Sequence, residues 1–159
     1  MALGKYFEID DGSLPEVEVT FDDRSRLAMA FRHFHDCGGV DVTLGQKLVW
    51  STRTHCERAY AGPADAALVA SGELDPFHVV LRGVRGDSHP IPDLGVFVFS
   101  TSLTIDYRMG AEWGSHEVTS FVRLLRQLAK LGGTMAVPWW GAEGESDFAE
   151  AMRRTEDLA

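Results

Sequence analysis

The sequence has 159 residues, of which 45% are hydrophobic and 25% are charged, and its formal net charge at pH 7 is −9. This length and composition fit one ordinary domain with a sizeable core and exclude a disordered chain. No apolar run is long enough to cross a membrane, so we expect a cytoplasmic protein. Binding to nucleic acids or to anionic membranes requires a positive surface. An acidic chain lacks such a surface, so we expect it to bind neither.

The negative charge is concentrated at the two ends of the chain. Residues 1–23 have a net charge of −6 and residues 141–159 of −4, whereas residues 24–140 are nearly neutral. Acidic ends suit a basic protein partner, although solubility alone also explains them. Arginine outnumbers lysine by twelve to three, which is associated with GC-rich bacterial genomes, so we expect a bacterial source.

The N-terminal segment predicts an acidic hairpin. Apolar and polar residues alternate on both sides of the turn-forming sequence DGSLP. Such alternation is typical of two strands joined by a turn, so it predicts a hairpin over residues 5–21. Its acidic side chains, among them Glu16 and Glu18, are expected on the solvent-exposed face.

The other elements follow from hydrophobic periodicity and from N-cap, glycine and proline positions. In chain order they are a helix at 24–37, strands at 40–44 and 48–52, a short helix at 64–70, strands at 77–82, 96–99 and 103–107, a helix at 115–131 and an acidic tail helix at about 145–157. Hairpins dominate this order. We therefore expect a single α+β domain over residues 1–159, mainly an antiparallel sheet with two principal helices packed on one face.

The segment DYRMGAEWGSH is the strongest candidate site. Asp106 ends a strand, Glu112 lies in a loop and His116 begins a helix, so their side chains could converge for acid–base chemistry or ligand binding. Arg108 could clamp a carboxylate. The structural alternative is that Trp113 packs beneath this connection and that Arg108 pairs with Asp106 or Glu112.

The cluster HFHDC raises the question of a metal site. His33 and Cys37 are four residues apart on one helix face, and His55 and Cys56 could complete a set of four ligands. However, His35 diverges from His33, and the chain has no closely spaced CxxC pair. Glycine-rich phosphate loops and nucleophile motifs are also missing. We therefore expect no metal and no cofactor.

Two adjacent tryptophans, Trp139 and Trp140, follow a proline and precede the acidic tail. Exposed tryptophans are common anchors in protein interfaces. The alternative is a lid that pins the C-terminal segment onto the core, because tryptophan buries a large apolar surface.

These features favour a non-catalytic protein-binding module over an enzyme. One form of it is a bacterial immunity or inhibitor protein that neutralises a basic toxin or effector. Its expected contact residues are Arg108, Trp113, Trp139 and Trp140. The alternative is a small enzyme or ligand-binding domain that uses Asp106, Glu112 and His116. A third hypothesis is a structural subunit that forms a homodimer through a sheet edge or its tryptophans.

Overall fold

The structure, a computed structural model, describes residues 3–45 and 47–157. In this part of the chain the α-helices are α1 (Arg24–Asp36), α2 (Asp65–Ser71), α3 (Ser115–Lys130) and α4 (Gly141–Asp157). The strands are β1 (Glu16–Phe21), β2 (Val40–Asp41), β3 (Leu48–Ser51), β4 (Cys56–Ala59), β5 (Phe77–Arg82), β6 (Leu94–Val98), β7 (Ser102–Tyr107) and β8 (Gly133–Ala136).

Six strands form one sheet in the order β2-β5-β6-β7-β1-β8, and every neighbouring pair is antiparallel. Strands β3 and β4 form a separate two-stranded hairpin. The consecutive strands β5, β6 and β7 are neighbours, as short connections favour. The prediction of a single α+β domain with an antiparallel sheet is therefore confirmed.

One face of the sheet forms the core with the helices. Side chains alternate along the strands, so every second residue of β1, β5 and β7 is buried. Helix α1 contacts β1 and β7, and α3 contacts β8, while α2 packs on α1 and α4 packs on α3. All four predicted helices are present, and α2 and α4 join this layer through their contacts with α1 and α3.

Local capping signals place two of the helices where the sequence predicts them. The Asp23 side chain accepts a hydrogen bond from the Ser25 amide, at 2.9 Å, and caps α1. Gly72 ends α2 in the left-handed conformation, with a φ of 85°, which glycine adopts without strain. Helix α3 begins at Ser115, as expected, although its N-cap is Gly114.

The first strand of the predicted N-terminal hairpin is wrong. Residues Gly4–Tyr6 form a 3-10 helix, and no strand follows before β1. Both edges of β1 are occupied, by β7 and β8, so no position beside it remains for a further strand. Phe7 is fully buried against the rings of Tyr107 and Trp113, which explains its apolar character without a strand.

Two short strands were not predicted. Strand β4 has only four residues with no apolar alternation, and β8 (GTMA) begins with the second residue of a glycine pair, which in the sequence marks the end of a helix. Each of these strands forms because it pairs with a neighbouring strand, and the local sequence pattern does not show that neighbour.

None of the helices in residues 3–45 and 47–157 has the length and apolar character needed to span a lipid bilayer.

Candidate functional site

The sheet face opposite the helices carries the most distinctive surface of the molecule. We call it the open face. Its side chains come from the strand positions that alternate with the core residues, and they are half-buried or exposed. Its central members are Glu16, Glu18, His78, Phe97, Thr104 and Asp106, with Phe99 directly after β6.

A histidine and a carboxylate pair at the centre of the open face. The Nε2 atom of His78, on β5, lies 2.8 Å from the Asp106 carboxylate, on β7. Both side chains are partly shielded from solvent. The pair spans three strands, since β6 runs between β5 and β7. A histidine held by a carboxylate has one ring nitrogen fixed and the other available to a ligand.

Gly95 makes this pairing geometrically feasible. It lies on β6 directly opposite Asp106, between the two partners. A Cβ atom at this position would lie 2.2 Å from the Asp106 carboxylate, well inside van der Waals contact. The carboxylate therefore occupies the space that a side chain would fill, and it crosses β6 to reach His78.

This arrangement predicts energetic coupling between Gly95 and Asp106. Replacing Gly95 by alanine should displace the carboxylate and lose the bond to His78. In an Asp106→Ala background the same change should be neutral or slightly stabilising, because alanine is less costly than glycine in a strand. The coupling energy from a double-mutant cycle in urea should be about 1–2 kcal/mol. Additive effects of the two substitutions would contradict the arrangement.

Two aromatic rings lie beside the histidine. Phe97 and Phe99 are 38% and 36% exposed, and their rings stack with centroids 5.2 Å apart. The His78 ring contacts Phe97 at a centroid distance of 4.8 Å. Water contact with stacked phenyl rings is unfavourable, and aromatic residues in an exposed patch are typical of binding surfaces.

Acidic side chains lie on the same face two strands from the aromatic residues, across β7. Glu16 lies directly opposite Asp106, and Glu18 lies opposite Thr104. Like charges on directly opposed residues of a sheet are destabilising. Asp106 turns towards His78, whereas no ion pair to a described residue is recorded for Glu16 or Glu18. Among the described residues, the Glu16 and Glu18 carboxylates of the open face therefore have no ion-pair partner.

A cavity lies at the β5 side of the open face. Its volume is about 350 Å³, within the range of natural ligand sites. His78 and Phe97 contribute to its lining, together with Leu44, Lys47 and Leu48. Lys47 forms an ion pair with Asp41, so its charge is already balanced.

The three residues predicted as an acid–base set lie in different surroundings. Asp106 belongs to the open face, while Glu112 is exposed in the loop after β7. His116 is exposed on the first turn of α3, and its ring stacks on His89 with centroids 4.5 Å apart. No hydrogen bond or ion pair joins Asp106, Glu112 and His116, all of which the structure describes. The residue that Asp106 meets is His78.

The other residues of the DYRMGAEWGSH segment act mainly in packing. Trp113 is buried, and its indole nitrogen donates a hydrogen bond to the Arg108 carbonyl, at 2.8 Å. The prediction that Trp113 packs beneath the connection is confirmed. The predicted pairing of Arg108 with Asp106 or Glu112 is wrong, because its guanidinium pairs with Asp10 across 3.1 Å. The N-terminal segment that replaces the predicted strand supplies this partner.

The two adjacent tryptophans divide between the core and the surface. Trp140 is 8% exposed, stacks on Tyr6 at 4.5 Å and donates a hydrogen bond to the Tyr107 hydroxyl. It therefore fits the lid interpretation. Trp139 is 57% exposed. Among the predicted contact residues, only Arg108 and Trp139 are accessible to a partner in this structure.

The HFHDC cluster forms hydrogen bonds with α3. His33 Nε2 lies 2.7 Å from Gln127 Oε1 and 3.3 Å from the Cys37 sulfur. Burial raises the pKa of the Cys37 thiol, which favours its neutral form. Cys56 is exposed on β4. Within residues 3–45 and 47–157, no group of three or more histidine, cysteine or acidic side chains is arranged to hold a metal ion.

Sequence reasoning missed His78, Gly95 and the two phenylalanines. A signal for the rings was present, because VFVFS places valines on one strand face and Phe97 and Phe99 on the other. A strand that carries apolar side chains on both faces needs a packing partner against each face. The histidine pair has no local signal, since 28 residues separate its members.

Comparison of the chain with protein-family models, with curated proteins and with solved structures found no match in any of the three. The interpretation of the open face therefore depends on its own chemistry.

Proposed function

We propose that this chain is a non-catalytic bacterial protein-binding module that acts in the cytoplasm and binds a basic partner through its open face. The observation that supports this most is the exposed stacked pair Phe97 and Phe99, which shares the open face with Glu16 and Glu18 two strands away. Apolar rings supply affinity when they are desolvated, and carboxylates on the same face select a cationic surface.

The charge on the open face favours a cationic partner over a second copy of the chain. Glu16 lies opposite Asp106 in the sheet register, so a lysine or arginine placed between them would relieve a like-charge contact. A face-to-face dimer would instead bring these carboxylates towards the same carboxylates of another copy. The net charge of −9 adds long-range repulsion between copies.

The inhibitor form of this proposal names a basic toxin or effector as the partner. An inhibitor needs only a complementary surface and no catalytic group, which suits the open face. If the partner is such a protein, equimolar amounts of the parent chain should suppress its activity. A Phe97→Ala variant should require a higher concentration for the same suppression.

The test is to capture a partner with the parent chain and with matched charge variants, and then to measure the association and dissociation rates of the complex. The double variant Glu16→Lys/Glu18→Lys should lose the partner that the parent chain captures. The control Asp36→Lys/Glu57→Lys changes the net charge equally at exposed positions outside the open face and should retain it. Phe97→Ala should weaken binding about tenfold or more through faster dissociation.

Salt provides a second measure of the same interaction. The Debye length falls from about 30 Å at 0.01 M to about 8 Å at 0.15 M ionic strength. The association rate should therefore fall markedly over this range, and less so for the Glu16→Lys/Glu18→Lys variant. An acidic partner, or a partner that both charge variants retain equally, would contradict the proposal.

A second candidate function is small-molecule binding at the cavity beside His78. The cavity volume and the place of His78 in its lining favour it. A screen of small carboxylates by protein-observed NMR would distinguish it from the first. A ligand in the cavity should shift the resonances of Leu48 and His78 and leave Glu18 unchanged, whereas a protein partner should shift β1 as well.

A further inference from the structure

Strand β8 forms one edge of the six-stranded sheet, and a groove separates it from α4. We call this the edge groove. Its volume is about 520 Å³. It is lined by Met135 and Val137, at and just beyond β8, and by Glu145, Phe148, Ala149 and Met152 of α4. The groove belongs to the sheet margin rather than to the open face.

The sheet edge supplies free backbone groups. Strand β8 pairs with β1 on one side, and no described strand lies on its other side. In an edge strand, every second residue directs its N–H and C=O groups away from the sheet. An extended segment laid along β8 would satisfy these groups as an added strand.

The groove supplies space for apolar side chains. Phe148 is buried at its base, while Met135 and Met152 are half-buried on its two sides. Methionine adapts to different shapes, and the small Ala149 leaves the groove open. Side chains alternate along an added strand, so every second residue would point into this apolar space.

One carboxylate in the lining has no cationic partner. Glu145 is exposed, and no ion pair to a described residue is recorded for it. Two other acids of α4 differ in this respect, since Glu143 pairs with Lys5 and Glu150 pairs with Arg154. Glu145 therefore favours a basic side chain at this end of the groove. A second copy of β8 (GTMA) would bring no such residue.

We infer that the edge groove binds an extended peptide segment of a partner protein by strand addition to β8. Apolar side chains of the segment enter the groove, and a lysine or arginine lies against Glu145. This inference is independent of the open face, since neither β8 backbone pairing nor Glu145 takes part in that surface.

The probes are two short peptides, acetyl-Lys-Val-Thr-Val-Thr-amide and its reverse order, titrated into the isotope-labelled full chain. At least one should give saturable NMR shifts at residues 133–137 and 145–152. The same peptide with N-methylated backbone amides should not bind, because it cannot pair with a strand. No saturable shift at millimolar peptide, equal binding of the N-methylated peptide, or shifts confined to the open face would overturn the inference.

Two variants test the side-chain contacts. Glu145→Lys should weaken binding about three- to tenfold, the range expected when an exposed ion pair becomes a like-charge contact. A peptide with glutamate in place of its lysine should restore binding to the Glu145→Lys variant. Glu57→Lys changes the net charge equally at a distant site and should have no effect. Ala149→Arg should fill the groove and abolish binding while leaving the melting temperature unchanged, and retained binding would contradict the groove assignment.

Discussion

Replacing Phe121 by alanine is expected to lower the free energy of unfolding by about 3–5 kcal/mol, the range measured for buried phenylalanines. Phe121 lies in the middle of α3 and is 0% exposed. Its ring contacts those of Phe7, Tyr107 and Trp113, with centroid distances of 5.6–6.0 Å. Alanine would leave a cavity where an N-terminal segment, a strand and a loop meet the helix.

Urea unfolding followed by circular dichroism measures this effect. Phe121→Leu keeps most of the volume and should cost less than alanine does. Lys130→Ala, on the exposed end of the same helix, should change the free energy of unfolding by less than about 0.5 kcal/mol. Since whole domains are stable by only about 5–15 kcal/mol, the alanine variant should unfold at a clearly lower urea concentration. An unchanged midpoint would contradict the packing of α3.

The core was predictable because its signal is periodic. The stripe on α3 that includes Phe121 and Leu125, and the alternation along β7, each repeat with the period of their element. Caps at Asp23 and Gly72 also depend on neighbouring residues alone. Such features need no knowledge of the partner element, so a single sequence contains them.

The N-terminal error has the opposite cause. Phe7 and Ile9 alternate like strand residues, yet Phe7 is buried in an aromatic cluster and Ile9 is 69% exposed. Pairing of β1 with both β7 and β8 decides the outcome, and these strands are distant in sequence. The alternation of apolar residues shows which side chains can be buried. Whether the segment becomes a strand depends on whether another strand has a free edge to pair with it.

The candidate site shows the same limit. Asp106 was recognisable as a polar residue at a strand end, and the adjacent loop suggested Glu112 and His116 as its partners. The sheet instead places Asp106 two strands from His78, across a glycine that contributes no side chain. Sequence neighbours were therefore the wrong partners, because a sheet brings together residues from different strands.

The loop between β5 and β6 illustrates how α3 fixes an irregular segment. The Ser120 hydroxyl, which is fully buried, accepts a hydrogen bond from the Gly86 amide, at 3.0 Å, and donates one to the His89 carbonyl, at 2.7 Å. Gln127 donates to the Gly86 carbonyl, and Arg123 pairs with Asp87. A segment that is rich in turn formers in the sequence is thus attached to the helix by several polar contacts.

Gly86 lies at the closest point of this attachment, and Gly86→Ala is expected to destabilise the protein by about 3 kcal/mol or more, at or beyond the upper end of usual overpacking costs. A Cβ atom there would lie 1.8 Å from the Ser120 carbonyl oxygen and 2.7 Å from the Leu124 nitrogen. Both are backbone atoms of α3, so no side-chain rotation relieves the overlap. Either the loop or the helix must move.

Gly110→Ala is the matched control for this substitution. Neither glycine has a φ in the left-handed region, and the nearest atom to a Cβ at Gly110 is the Asp10 Cβ, at 3.9 Å. The control should therefore unfold at nearly the same urea concentration as the parent chain. If Gly86→Ala were as stable as Gly110→Ala, the loop would not rest on α3 in this way. If it unfolds early, as expected, the Ser120, Arg123 and Gln127 contacts hold the loop at a distance that only glycine permits.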